Sequence, residues 1–215
     1  MTRPSAPMFG RFAALVFIAL ALTLSSPAFS KRQADFDPKA YAEAVAKAEA
    51  GDPGVDYLWL RKQASAQFDY AEANWTDWQS ADSLVDTSPD QALGMARARL
   101  AGVWTDFMAH IVAQLALEKL GRHEDAEREH RITGAIISSI AGGHKGTSAA
   151  DSFNAVNVAE EYRVLFLLHW KFEGQSLVNQ DGHSFDVFDV TDMKTNQKRQ
   201  VWFNIDIYFG KEFGL

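Results

Sequence analysis

Three histidines and two adjacent glutamates are the residues of this chain best suited to chemistry. Imidazole and carboxylate groups bind metal ions and transfer protons, so a cluster of them is a candidate catalytic site. The two histidines of the helical region are expected to point inward into one groove, where the glutamates could join them. The alternative is a hydrogen-bonded core in which a glutamate satisfies the imidazole nitrogens. The candidate catalytic residues are His110, His130, Glu160, Glu161 and His183, and the three histidines are also the candidate metal ligands.

The spacings that identify well-known catalytic sites are absent from the sequence. There is no His-Glu-x-x-His, the spacing that places two zinc ligands on one helix face. The glycine-rich residues 142–148 do not follow the order of a phosphate-binding loop, and no serine lies in a Gly-x-Ser-x-Gly elbow. No cofactor is therefore expected, and the sequence favours a protein that is not an enzyme.

A second candidate position is the turn at residues 179–182. Asp181 and His183 flank Gly182, and Asp186 follows, so the segment offers metal ligands or a general base. The same Asn-Gln-Asp-Gly sequence is typical of a tight turn in which glycine adopts a positive φ. Asp206 falls on the polar face of the last predicted strand, where it either lines a cleft or faces water.

Tryptophan side chains provide a third kind of candidate site. The helical spacing of Trp59 and Trp104 predicts core positions, and three of the four remaining tryptophans are possible surface anchors for a sugar or a protein. The candidate binding residues are Trp75, Trp78, Trp202, Asp181 and Asp206.

The elements that must position these residues begin with a helical half, residues 31–141. From Pro38 onward, apolar residues recur three and four positions apart, which is the helical period. Asp37-Pro38 and Ser88-Pro89 are typical helix starts, because proline is favoured at the first helical position. The predicted helices cover residues 38–50, 54–65 and 89–102.

Residues 104–141 predict a helical hairpin. The segment 117–126 resembles the hinge of a tetratricopeptide repeat, in which Gly121 closes the first helix and Ala126 lets the two helices approach. No second copy with this spacing occurs, so a repeat array is not predicted. The stripes expected in the core are Val103, Phe107, Ile111 and Leu115 in the first helix and Ala126, Ile132, Ile136 and Ile140 in the second.

The second half, residues 142–215, has mainly β character. Val201, Phe203 and Ile205 alternate with polar residues, which predicts a strand with one buried face. Helices followed by strands indicate an α+β fold that ends in an antiparallel β-meander. The predicted elements are a strand at 153–158, a helix at 159–169, and strands at 175–178, 183–191 and 199–207.

The order of several short motifs resembles one protein family. The motifs are His130-Arg131, Glu160-Glu161-Tyr162, Gly174-Gln175-Ser176-Leu177-Val178, Asp181-Gly182-His183, Asp186 and Phe203-Asn204-Ile205-Asp206. This order resembles a family of exported proteins of Proteobacteria and Bacteroidetes that is catalogued only as a domain of unknown function. The resemblance extends over residues 36–212 and implies export and fold, with no activity, substrate or cofactor. Where the family has Gly-Asp-Gly-Lys-Ser, this chain has Gly143-His144-Lys145-Gly146-Thr147, so a role for that acid does not carry over.

The first thirty residues predict a cleaved signal peptide. Arg3 and Arg11 precede an apolar run, residues 12–24, and the small residues that end at Ser30 fit a cleavage site. The run is about half the length of a membrane-spanning helix, so no membrane anchor is expected after cleavage. The mature protein is expected to be soluble and either periplasmic or secreted. Because it has no cysteine, its stability must come from packing rather than from disulfides.

The charge balance disfavours two classes of partner. The chain has 21 basic and 28 acidic side chains, a net charge of −7 that becomes −9 when the two arginines of the signal peptide are removed. An acidic surface disfavours nucleic acid and anionic lipid. We therefore expect one domain, residues 31–215, that acts as a non-catalytic binding or accessory module for a protein or small-molecule ligand. The alternatives are a metal-assisted hydrolase built on the histidines and glutamates, and a glycan-binding module built on the tryptophans.

Overall fold

The chain folds into helices followed by a four-stranded sheet, which is the predicted α+β arrangement. The computed structural model describes residues 36–67 and 78–209. The predicted signal peptide and Trp75 lie outside these residues. The helices are α1 (Pro38–Ala50), α2 (Tyr57–Gln67), α3 (Trp78–Ser83), α4 (Pro89–Gly102), α5 (Phe107–Lys119), α6 (His123–Ala141) and α7 (Val158–Leu167). The strands are β1 (Phe153–Asn154), β2 (Trp170–Gln180), β3 (His183–Asp192) and β4 (Lys198–Asn204).

The first helices begin where short acidic side chains cap them. Asp37 Oδ1 accepts hydrogen bonds from the N–H groups of Lys39 and Ala40, which confirms the predicted start of α1. The second helix begins later than predicted, because Asp56 Oδ1 accepts the N–H of Trp59 and so caps α2. Ser88 precedes α4 as predicted, but its side chain makes no capping hydrogen bond.

The predicted hairpin is formed by α5 and α6. Gly121 has a φ of +71° at the end of the first helix, and Ala126 is buried where the second helix begins. The predicted stripe needs correction, because Val103, which precedes α5, and Ile111 and Leu115 are only partly buried. Helix α5 packs against both α4 and α6, so residues on most of its circumference are buried. These buried residues are Phe107, Met108, Ala109, His110, Val112, Ala113, Ala116 and Leu117.

Strands β2, β3 and β4 form the predicted antiparallel meander. Asp181 and Gly182 both have positive φ, at +53° and +81°, as the two-residue turn between β2 and β3 requires. The sheet as a whole is mixed, because β1 pairs in parallel with β4. Its order is β1-β4-β3-β2, which places β2 at an edge.

Three strands differ clearly from their predicted bounds. Strand β1 ends after two residues, because the Val156 N–H donates to the Glu160 carboxylate at the start of α7 instead of continuing the ladder. Strand β4 ends at Asn204, whose side-chain oxygen accepts the N–H of Asp206. Strand β2 extends well beyond the predicted residues 175–178.

One cluster of buried apolar residues joins the two halves of the chain. Leu60 of α2, Ile136 of α6, Val164 of α7 and Phe203 of β4 all belong to it. Helix α7 therefore lies between the helical hairpin and the sheet. No helix within the described residues is long and apolar enough to cross a membrane.

Candidate functional site

His110 is a buried residue of α5 with both ring nitrogens engaged. Its Nε2–H donates to the carbonyl oxygen of Trp104 at 2.7 Å, and its Nδ1 lies 2.5 Å from Glu129 Oε2. The Trp104 ring packs edge-on against the imidazole, with 5.3 Å between ring centroids. The glutamate that satisfies this histidine is therefore Glu129, and neither Glu160 nor Glu161 takes that role.

His130 does not share a groove with His110. It is exposed, and its Nδ1 lies 3.3 Å from the side-chain oxygen of Gln114 on α5. The expected common groove is thus corrected, because Glu129 and not His130 faces His110 across the hairpin. His130 instead lines an open depression between α5 and α6. The depression is lined by Gln114, Glu118, His123, Ala126, Glu127 and His130.

Glu160 forms a buried ion pair with Arg61 of α2. Arg61 Nε donates to Oε1 at 2.9 Å and Nη2 donates to Oε2 at 2.6 Å, so the pair is bidentate. The guanidinium also donates to the Asn154 carbonyl at 2.6 Å and to Ser139 Oγ at 3.1 Å. Every group of this pair is occupied in joining α2, α6, β1 and α7, so Glu160 has a structural role.

Glu161 is completely buried between α7 and the sheet. Its Oε1 accepts a hydrogen bond from the Tyr208 hydroxyl at 2.6 Å. Burial, followed by the nearby charge of Asp186, raises the pKa of Glu161 well above its ordinary value. Burial also raises the pKa of Asp186, which Gln175 hydrogen-bonds from β2. Two buried carboxyl groups thus face each other beside a tyrosine hydroxyl.

His183 lies at the other end of the sheet and pairs with Asp206. Its Nδ1 is 2.6 Å from Asp206 Oδ2, while the Ser184 N–H donates to Oδ1 at 2.8 Å. Burial acts to raise the pKa of Asp206, but the bonds from Ser184 and His183 outweigh it and the pKa is lowered. Asp181 occupies the turn itself, with a positive φ and an exposed side chain. This pair joins the β2–β3 turn to the residues that follow β4.

The five candidate catalytic residues are therefore divided among separate networks. Within residues 36–67 and 78–209, no group of three or more histidine, aspartate or glutamate side chains is arranged to hold a metal ion. His110 and Glu160 are fully engaged inside the core, and His130 and His183 lie on different exposed surfaces. Of these five residues, Glu161 is the one that lies beside a second buried carboxyl group, that of Asp186.

The candidate tryptophans also lie apart. Trp78 begins α3 and packs against Phe166 of α7, with 4.4 Å between ring centroids. Trp202 lies on the face of β4 opposite Val201 and Phe203 and packs against Phe185. Trp104 belongs to the core, as predicted, and Trp59 is partly buried and packs against it.

A group of exposed apolar side chains lies beside the coupled carboxyls. We define the apolar surface as Tyr162 and Phe166 of α7 together with Phe172 and Leu177 of β2, which are 41% to 50% exposed. Tyr162 contacts Phe172 with a centroid distance of 5.8 Å, and both rings pack on Phe188. The sequence offered one signal for it, the spacing of four between Tyr162 and Phe166, which places both on one helix face.

The apolar surface is tied to the buried carboxyls by one side chain. Gln175 accepts a hydrogen bond from the Tyr162 hydroxyl at 3.0 Å, and its amide hydrogen-bonds Asp186. Phe172, Gln175 and Leu177 share the face of β2 that is directed toward α7, because their register partners are Val190, Phe188 and Asp186. Gln175 therefore spans the distance between the exposed and the buried residues.

Comparison of the chain with models of known protein families, with curated proteins and with solved structures found no match. The resemblance to an exported bacterial family stays a prediction from the motifs.

Proposed function

We propose that the protein is a non-catalytic binding module, exported to the periplasm or secreted, that takes up an extended segment of a partner polypeptide along β2. The observation that carries the proposal is the apolar surface beside an eleven-residue edge strand. Large exposed apolar side chains in a contiguous group are typical of interaction sites, and aromatic residues contribute most to binding free energy there.

The backbone of β2, at the edge of the sheet, supplies the hydrogen-bonding groups of the proposed site. Its neighbour on one side is β3, and no strand of the described residues pairs with its other side. Proteins usually protect such edges with charged side chains or bulges. Lys171, Glu173 and the register shift next to Gly174 protect the first third of β2, whereas Gly174–Gln180 contains no charged residue. An extended peptide can therefore add to this part of the sheet through backbone hydrogen bonds.

The side chains of α7 supply the specificity. In an added strand, alternate side chains point toward the face that carries Phe172 and Leu177. There they would meet Tyr162 and Phe166, so apolar residues at every second position of the partner are favoured. The partner is accordingly an uncharged or weakly basic segment with alternating apolar residues, because the mature chain is acidic.

A peptide selection tests the proposal. Random ten-residue peptides are displayed, selected on the mature protein, and synthesised with a fluorophore, and their dissociation constants are measured by anisotropy. The double variant Phe166→Ser, Leu177→Ser removes apolar side chains that are about half exposed, and we expect it to bind at least about tenfold more weakly. Met193→Ser is the matched control, because Met193 is 60% exposed in the turn between β3 and β4 and is not one of the four residues of the apolar surface.

Two results would contradict the proposal. One is equal affinity of the selected peptides for the wild type and the double variant, with both proteins shown to be folded by urea denaturation. The other is a loss of affinity in Met193→Ser as large as that in the double variant.

A further inference from the structure

One carboxylate oxygen of Glu161 is buried without a hydrogen-bond partner among the described residues. The side chain is 0% exposed, Oε1 is bound by the Tyr208 hydroxyl, and Oε2 has no hydrogen-bond donor. A buried acceptor without a donor is costly. Asp186 is the group that faces Glu161 from β3, and it is 8% exposed. An ionised carboxylate can only accept hydrogen bonds, so neither group can donate to the other while both are ionised, and Glu161 Oε2 stays without a donor.

A single proton shared by Glu161 and Asp186 supplies the missing hydrogen-bond donor. If Glu161 carries it, the carboxylic acid donates to Asp186, and the Tyr208 hydroxyl and the Gln175 amide satisfy the remaining oxygens. This is the usual outcome when two carboxyl groups share a buried position, since both cannot ionise close together. The raised pKa values of both groups agree with it.

The surrounding charges do not offer a competing partner within the described residues. On α7, Glu160 is neutralised by Arg61, and Arg163 lies 3.1 Å from Asp106 at the start of α5. Asp106 is held in addition by Arg99 of α4 at 2.7 Å. From the sheet side, the groups that face Glu161 are Asp186 of β3 and, after β4, Tyr208, whereas Gln175 acts on Asp186.

The shared proton is connected to the apolar surface. Gln175 bonds Asp186 on one side and the Tyr162 hydroxyl on the other, and Tyr162 follows Glu161 in the same helix. Loss of the proton places two negative charges between α7 and β3. The resulting repulsion acts on the contact that holds Tyr162 against Phe172 and Phe188.

We propose that the proton shared by Glu161 and Asp186 regulates the apolar surface, which is ordered and able to bind its partner while the proton is present and is loosened when the proton is lost. The regulation of partner binding rests on the proposed binding function. The movement of Tyr162 that we expect on loss of the proton does not rest on it, because this movement occurs in the protein without a partner.

The first arm of the test needs no partner. Protein labelled with ¹³C at tyrosine Cζ is titrated by NMR from about pH 4.5 to about pH 8, with Tyr162→Phe and Tyr208→Phe to assign the two signals. We expect both signals to shift together, with a midpoint well above the ordinary value for glutamate. The shift should vanish in Glu161→Gln, which keeps the shape and the hydrogen-bond donor of the neutral acid, and in Asp186→Asn as a second variant.

Glu173→Gln is the matched control on β2, because its carboxylate is exposed and bound to Lys171 and Thr191. It should leave the titration of Tyr162 unchanged. A Tyr162 signal that stays constant over this range in the wild type, or one that titrates identically in Glu161→Gln, overturns the inference.

The second arm uses a selected peptide. Its affinity for the wild type should fall roughly tenfold across the same midpoint and should not change with pH in Glu161→Gln. If Tyr162 titrates and peptide affinity is independent of pH, the regulation is overturned and the binding function stands. If Tyr162 titrates as expected and no peptide binds the surface, the binding function fails, whereas the coupling between the shared proton and the surface is supported.

Discussion

Glu160 and Glu161 are neighbours in the first turn of α7, and their carboxyl groups enter two different environments. Glu160 is bound by two of the three guanidinium nitrogens of Arg61, Nε and Nη2, whereas Glu161 faces Asp186 and accepts a hydrogen bond from Tyr208. Successive residues of a helix point about 100° apart, which directs one carboxyl group to the helical part and the other to the sheet. Helix α7 is thus attached on one side by an ion pair and on the other by a carboxyl pair.

Removing one partner of the buried ion pair should destabilise the fold strongly. In Arg61→Met, Glu160 is left as a buried charge without its cation, and we expect a loss of about 3–5 kcal/mol in the free energy of unfolding, measured with urea. The double variant Arg61→Met, Glu160→Met should lose less than the sum of the two single variants, because no unpaired charge remains. Lys119→Ala, which breaks an exposed contact with Asp86, is the control and should have no measurable effect. A single variant as stable as this control would show that the pair is not structural.

The contribution of Glu161 to the free energy of unfolding should decrease as the pH rises. The folded-state pKa of Glu161 is raised above its ordinary value of 4.5, so its contribution is fully present below that value and is lost as the pH rises through the folded-state pKa. Glu161→Gln should remove this decrease and should be more stable than the wild type above the folded-state pKa. Urea denaturation at a series of pH values checks this, and an identical pH profile of the two proteins would contradict it.

Only the parts of the fold that are determined by residues close together in the sequence could be predicted from the sequence. Gly121 ends α5 and Asp181-Gly182 reverses the chain because their backbone conformations are set locally. The parallel pairing of Phe153 with Phe203 and the contact of Arg61 with Glu160 join residues far apart in sequence, and no local pattern indicates them. In the stripe predicted for α5, Phe107 is buried, but Ile111 and Leu115 are only partly buried, because a helix packed on two sides has no single buried stripe.

The candidate site was predicted in part, for the same physical reason. Glu161 was among the candidate residues, but its partners Asp186 and Tyr208 come from the sheet and from the segment after β4. The choice of His130 instead of Glu129 as the residue facing His110 is an error of one position, which is about 100° around a helix.

His110 and His130 should respond very differently to substitution. His110→Ala leaves the Trp104 carbonyl and the Glu129 carboxylate without their partner inside the hairpin. A buried acceptor that has lost its donor should alone cost about 1–3 kcal/mol in unfolding free energy. The cavity left by the imidazole ring adds to this loss. His130→Ala is the matched control on the facing helix, since its ring is exposed. Comparable losses in both variants, measured by urea denaturation, would contradict the assignment of His110 to the core.

Alanine should destabilise the protein more at one glycine of the loop before β1 than at another. Gly143 and Gly146 both have positive φ, at +82° and +68°, so alanine strains the backbone at either position. A Cβ at Gly146 would lie 2.7 Å from the Phe153 ring, which is packed on Phe203, whereas a Cβ at Gly143 meets no atom within 4 Å. Thermal denaturation should show Gly146→Ala to be less stable than Gly143→Ala by about 1–3 kcal/mol. Equal stabilities would exclude the close packing of Phe153 against the loop.

Backbone amide mapping of β2 with a selected peptide tests the binding proposal most directly. In ¹⁵N-labelled protein, the β2 amides that do not bond to β3 should exchange with solvent more slowly when peptide is present. Tyr162 and Phe166 should shift with them, whereas the Phe166→Ser, Leu177→Ser variant should show neither change. Protection confined to the depression between α5 and α6, with the β2 amides unaffected, would contradict the account and place the binding site on the helical hairpin.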